Sequence, residues 1–125
     1  MERKIISTAA LLGIIAIVLG AFGAHALKKV LNLQELATFE TGVRYQMYQA
    51  LFLLFIGTTN LIAEKTKKTI LYLVISGIIL FSGSIYLLAV NSLLAFDFKV
   101  IGFVTPIGGL FLILCWFFFF LIVFM

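Results

Sequence analysis

The sequence predicts an all-α integral membrane protein. Its expected form is a polytopic four-helix bundle with a short amphipathic, interfacial helical segment before its second span. Two observations predict this. Of 125 residues, 64% are hydrophobic and only 11% charged, with a mean hydropathy of +1.26. A soluble domain of this size has too little interior to hide so much apolar surface. In addition, the runs 5–24, 70–90 and 100–125 are each long enough to cross a ~30 Å hydrocarbon core as a helix. A fourth run, 45–63, is long enough but carries Gln46, Gln49 and Asn60. The expected spans are about 5–26, 45–63, 69–90 and 100–124, with the interfacial segment at about 33–44. Together they make a single membrane domain over residues 1–125.

The first helix follows Arg3 and Lys4. An apolar run ending in Ala24-His25-Ala26 has the outline of a signal peptide with a small-residue cleavage site. The run is longer than the usual ~7–15 apolar residues of such a segment, and Ala9, Gly13, Ala16, Gly20, Gly23 and Ala24 recur every three or four residues. That spacing puts small side chains on one face, where a second helix can approach closely in lipid. The helix is therefore expected to be retained. Gly13, Gly20, Gly23 and Ala24, with Gly83 and Gly109 further on, form the expected set of helix-packing positions.

In the second segment Asn32 followed by Glu35 reads as a capping box, starting a helix at Leu33. A helix from there to Ala63 would be about 46 Å long at ~1.5 Å per residue, too long for one perpendicular span. The part before Tyr45 is thus expected at or outside the interface, with a bend near Gly42. Glu40 and Arg44 project into the apolar stripe of Leu36, Val43 and Met47 and are spaced to meet. Two readings follow. One is an internal ion pair clamping this helix to the first. The other is a polar floor to a cavity, with His25, the sole histidine, at the same depth. His25, Glu40, Arg44, Tyr45, Tyr48 and Gln49 make the candidate polar cluster.

The third run contains Ser76-Gly77, Ser82-Gly83-Ser84 and Tyr86, small and hydroxyl residues suited to close helix contacts. Thr105-Pro106 opens the last run, either as a cap with proline at the first helical position or as a kink in a helix from Val100. Trp116 and Phe117–Phe120 read as lipid-facing surface. The net charge of +4 arises from short basic pairs beside the spans, Lys28-Lys29 and Lys65, Lys67-Lys68. These are expected to be interfacial anchors at lipid headgroups rather than a nucleic-acid surface. Cys115 is the only cysteine, so an internal disulfide is impossible. No metal-ligand or nucleotide-binding motif is present, and no metal or cofactor is expected.

The stretches GAFGAHALK (Gly20–Lys28), FETGVRYQMY (Phe39–Tyr48), LFSGSIYLLAV (Leu80–Val90) and TPIGG (Thr105–Gly109) resemble the YgdD/YwdK-type small membrane proteins. That family is number 423 among the domains of unknown function and has mitochondrial relatives. The resemblance spans essentially the whole chain and implies a four-helix protein of the bacterial inner membrane, with no established activity, substrate or cofactor. The family's motif residues fall here on His25, Glu40, Gly42, Arg44, Tyr45, Gln46, Tyr48, Ser82, Gly83, Thr105, Pro106 and Gly109. Gln49 stands where the family typically has histidine, which weakens a two-histidine metal or relay site. Cys115 stands where glycine is expected.

The reading that follows is a non-enzymatic accessory or assembly subunit acting through helix contacts. Its partners would be the lipid bilayer, other copies of itself or a larger membrane complex. The alternative is a minimal oligomeric transporter or channel using His25, Glu40 and Arg44. Positive residues at the two ends of the spans barely favour both termini on the cytoplasmic side.

Overall fold

The computed structural model describes residues 1–125 and is helical with short connections. Helix α1 (Glu2–His25) runs on into a 3-10 turn at Leu27–Lys29. Helix α2 spans Leu33–Thr58. Helix α3 spans Glu64–Ala89 and contains one π-helical turn at Ile79–Gly83. Helix α4, Val104–Phe124, follows a 3-10 turn at Phe98–Ile101. Three stretches, Glu2–Lys29, Glu64–Ala89 and Phe98–Phe124, are long and apolar enough to cross a membrane. Helix α2 has the length, but Arg44, Gln46 and Gln49 dilute its hydropathy.

The start of α2 is set locally. The Asn32 side chain accepts from the Glu35 amide at 2.8 Å, and the Asn32 amide donates to the Glu35 carboxylate at 3.0 Å. This reciprocal pair satisfies two amides that no helical carbonyl can reach. Two expectations fail beyond that point. The stretch 33–44 is not a helix of its own, because α2 continues through Gly42 without a break. Gly42 is not a hinge: it is buried, and a β-carbon there would lie 2.7 Å from the Tyr86 ring. The helix also ends at Thr58 rather than Ala63, where Thr59 turns extended, and α3 already begins at Glu64.

Packing builds two hairpins. Helix α1 lies antiparallel along α2, with Gly57 against Ile5 and Ile6 at one end and Gly23 against Phe39 at the other. Helices α3 and α4 pair through Gly77 on Leu112 and Gly108 on Leu80 and Phe81. The hairpins join where α2 meets α3. Ile5, Leu53, Ile56, Ile70, Val74 and Cys115 are central to the larger core, while Leu27, Leu31, Phe39 and Ala89 form a smaller one at the opposite end.

Proline at position 106 sits in the first turn of α4, whose first residue is Val104. Neither expected arrangement is quite met. The missing proline amide costs nothing there, since the first four amides of a helix lack internal acceptors. Lys67 corrects a further expectation. It is not a lipid-facing anchor but is only 2% exposed, with its ammonium 3.2 Å from the Glu2 carboxylate. The reason is helical phase: Lys67 shares the face of Ile70, Leu71 and Val74, all buried. The Glu2–Lys67 pair ties the first turns of α1 and α3 together at one end of the bundle.

Candidate functional site

Two features dominate the middle of the molecule, a polar seam across the helices and a cleft beside it. The seam starts at the π turn of α3. A π turn inserts one extra residue into the helical ladder and re-aims the side chains around it. Here it sets Ser82, Ser84 and Tyr86 against three different neighbours. The buried Ser82 hydroxyl donates to the Gly42 carbonyl of α2 at 2.8 Å. The Ser84 and Thr105 hydroxyls share a hydrogen bond of 2.6 Å between α3 and α4. The Tyr86 hydroxyl donates to Gln46 Oε1 at 2.7 Å, and Gln46 Nε2 donates to the Leu12 carbonyl of α1 at 2.9 Å. One glutamine thus links three helices, and no fully buried side-chain polar atom lacks a partner.

Glycine makes the seam possible where helices touch most closely. A β-carbon on Gly108 would fall onto the Phe81 amide nitrogen and within 2.5 Å of the Leu80 carbonyl carbon. Any other residue would push α4 off the π turn. The motif TPIGG therefore reads as one docking surface: Thr105 bonds Ser84, Gly108 meets the backbone, and a β-carbon on Gly109 would lie 3.4 Å from the Phe81 ring.

The cleft lies between α2 and α4. These helices meet through Phe52, whose ring stacks on Trp116 at 4.3 Å between centroids, and through Phe119, which packs edge-on against Phe52 and Phe55. Elsewhere they part and leave about 1120 Å³. Tyr45, Tyr48 and Gln49 stand on the α2 wall, with Ile113, Trp116 and Phe117 opposite. Tyr45 and Tyr48 pack edge to face at 5.4 Å. Gln49 is 5% exposed, and its Oε1 accepts from the Trp116 indole at 3.1 Å.

The sequence-derived cluster is divided by this geometry. Tyr45, Tyr48 and Gln49 do come together, as cleft wall. His25, Glu40 and Arg44 are all exposed, and the chain's one ion pair within 4 Å is Glu2–Lys67. The shielded Glu40–Arg44 clamp is therefore corrected. The apolar stripe into which both residues project by phase is covered by α1 and α3 on the Gly42–Gln46 side, and Glu40 and Arg44 lie to its flank.

The packing set is divided as well. Gly20, Gly23 and Gly109 face Val43, Phe39 and Phe81 at contact distance. A β-carbon on Gly13 would have nothing within 4 Å, one on Gly83 would have only the Ile78 carbonyl at 4.0 Å, and Ala24 is exposed. The tightest approaches, at Gly42, Gly57, Gly77 and Gly108, fall outside that set. Glycines scattered singly at contacts carry less pattern than a repeat along one helix. Trp116, expected to face lipid, is 47% exposed and also donates to Gln49. No group of three His, Cys, Asp or Glu side chains is placed to hold a metal ion.

Comparison with known proteins places this arrangement in context. The family described as Protein of unknown function (DUF423) matches residues 19–109. UPF0382 membrane protein SSP2132 of Staphylococcus saprophyticus is 38% identical over 107 residues, 86% of this chain and 85% of that protein. UPF0382 membrane protein YwdK of Bacillus subtilis is 37% identical, covering 82% of this chain and 81% of its own length. UPF0382 inner membrane protein YgdD of Escherichia coli is 34% identical over 120 residues, 92% of this chain and 85% of its own. No solved structure matches the chain.

Proposed function

We propose that this chain, which belongs to the DUF423 family of membrane proteins, is a non-enzymatic accessory or assembly subunit that works by lateral contact within the bilayer. One observation carries the reading. Among the buried polar side chains of the middle of the bundle, Gln46, Ser82 and Ser84 are engaged in bonds between or along helices, and Gln49 accepts from the Trp116 indole. They hold the fold together. What remains for recognition is the outer surface, and α1 presents Leu11, Ile14, Ile17, Val18 and Phe22 outward. The transporter alternative rested on a His25–Glu40–Arg44 cluster, and those residues stand unpaired and exposed.

In this reading α2 is the fourth crossing, supported by its antiparallel packing along α1. The bacterial inner membrane is its location by analogy with the Escherichia coli relative, and both termini face the cytoplasm. A photo-crosslinking amino acid at Ile14 or Val18, followed by purification from native membrane, tests the function. A discrete adduct with a second polypeptide is the expected result. Lipid adducts alone at both positions would overturn it. A reporter after Met125 that is active only in the periplasm would overturn the orientation.

A further inference from the structure

The cleft between α2 and α4 has a distinctive division of chemistry along its length. From Tyr45 to Phe55 its α2 wall runs about 15 Å at ~1.5 Å per residue, half the ~30 Å thickness of a hydrocarbon core. One end is apolar and aromatic, with Phe52, Phe55 and Phe119. The other end carries hydrogen-bond donors that nothing in the protein accepts. Gln49 is 95% buried in the fold, since its exposure is 5%, and it lines the cleft. Its Oε1 is held by Trp116, which fixes the amide orientation and leaves both Nε2 protons without an acceptor. The Tyr45 and Tyr48 hydroxyls also make no hydrogen bond to the protein, although both residues line the same wall.

Where α2 crosses the bilayer, the buried Gln49 donors have no water to bond, and leaving them unmet is costly. Elsewhere in this bundle polar side chains find partners, as the Gln46 and Ser82 bonds show. A cleft of about 1120 Å³ is as large as the upper end of ordinary ligand pockets, ~300–1,000 Å³. Its donors ask for an acceptor, and its aromatic end asks for an apolar tail.

We infer that the α2–α4 cleft binds a single-tailed membrane lipid whose head carries acceptor oxygens. The head lies at Tyr45, Tyr48 and Gln49, and the tail runs along Phe52, Phe55 and Phe119. The occupant that fits is a free fatty acid, its carboxylate supplying the acceptor oxygens; the carbonyls of an isoprenoid quinone are the competing source that the test separates. Arg44 separates them. It sits one turn before Tyr48 on the cleft edge continued by Leu51 and Phe55 (spacings of four, seven and eleven residues). An anionic head gains from that guanidinium, and a neutral quinone does not. The inference rests on α2 crossing the bilayer, as proposed above, but not on the accessory-subunit role, which binding by the purified chain does not test.

Trp116 is the only tryptophan and forms part of the cleft wall, so its fluorescence reports occupancy. The purified protein in neutral detergent is titrated with a decyl-tailed benzoquinone in one arm and a dibromo fatty acid in the other. Both quench indole on contact. Saturable quenching is expected in the fatty-acid arm. The double variant Tyr45→Phe/Tyr48→Phe should weaken it about five- to a hundredfold, the range for losing two ordinary hydrogen bonds. Neither hydroxyl bonds the protein, so this variant keeps its fold, which helical circular dichroism verifies. Weakening by Arg44→Gln in the fatty-acid arm is expected for a carboxylate head, while saturation in the quinone arm alone overturns the fatty-acid assignment. Quenching that only rises in proportion to quencher in both arms overturns the inference, as it would if a second copy of the chain filled the cleft. So does saturation that the tyrosine variant leaves unchanged.

Discussion

Helix α4 meets its two neighbours in opposite ways. Against α3 it comes so close that Gly108 rests on backbone at the π turn, and Ser84 and Thr105 join hydroxyls beside it. Against α2 it makes contact through the rings of Trp116 and Phe119, leaving about 1120 Å³ unfilled. The same helix therefore carries a tight face and a loose one. The difference lies in side-chain size and polarity rather than in hydrophobicity. In lipid, burying one more apolar group gains little, so helices associate where small residues permit dense van der Waals contact and polar groups find partners. Bulky aromatic rings fix a minimum spacing and create space on either side of the contact.

Gly108→Leu attacks the tight face and should have the largest effect. The added side chain has no route except through the backbone of α3, and overpacking of this kind costs about 3 kcal/mol or more. Loss of folded protein and a sharply lower midpoint of thermal unfolding in detergent are expected. Gly13→Leu, where a β-carbon has open space, should stay within about 0.5 kcal/mol. Equal tolerance of the two would erase the contrast between close and open faces.

A smaller effect is expected where charge rather than size holds helices together. Glu2→Gln leaves the buried Lys67 ammonium without its carboxylate, and an unmet buried polar group costs about 1–3 kcal/mol. Lys67→Met should be milder, because Glu2 is 53% exposed and water takes over its solvation. The order of the two midpoints checks the asymmetry; a more damaging Lys67→Met would show that the lysine stem, not the charge, matters.

Tyr86→Phe sharpens the comparison at the level of one hydrogen bond. It removes the donor to Gln46 while keeping the ring on Phe39 at 5.2 Å. A loss of about 0.5–1.5 kcal/mol is expected, read by the same unfolding assay. Tyr48→Phe in the cleft, which breaks no bond within the protein, should leave ligand-free stability unchanged.

The smallest effect belongs to the loop between α3 and α4. The Asp97 carboxylate accepts from the Lys99 amide at 3.0 Å and from the Asn91 side chain at 3.2 Å. The Lys99 amide, then the Asn91 amide, holds its pKa below the ordinary value. Because the folded value is the lower one, the loop's gain is present above the ordinary aspartate pKa of about 3.9. It is lost as pH falls through the depressed folded value. Protection of the Lys99 amide from hydrogen exchange, relative to the unstructured rate at the same pH, should fall in that acid range, and Asp97→Asn should abolish this pH dependence.

How much of this is legible in the sequence varies residue by residue. The Asn32–Glu35 cap is, because it depends on side chains three residues apart. The close-contact role of Gly20 and Gly23 is, because α1 repeats small residues at helical spacing. Gly57, Gly77 and Gly108 are not legible as a set, since each stands on a different helix and its importance comes from what faces it. Lys67 misleads although its phase with Ile70, Leu71 and Val74 is available, because basic residues near a span end so often serve as headgroup anchors. Tyr45, Tyr48 and Gln49 stand out as unusual for a span, and the structure puts them on one wall. Arg44 and Glu40 draw attention for the same reason, yet helical phase alone could not say which edge of the stripe α1 and α3 would cover.

What the sequence determined by itself was short-range or compositional. Hydropathy decided that the chain is a membrane protein with long apolar helices, and local capping chemistry decided where α2 begins. Those features follow from neighbours along one helix and from the solvent the chain must match. Tertiary structure alone decided which helix faces touch. It placed the π turn of α3 against Gly108, gave Gln46 to both α1 and α3, and opened the cleft on the remaining side of α2. The physical reason is that in hydrocarbon many pairings of apolar faces are close in energy. Only shape at the backbone and the pairing of a few polar groups choose among them, and both depend on residues brought together from distant parts of the chain.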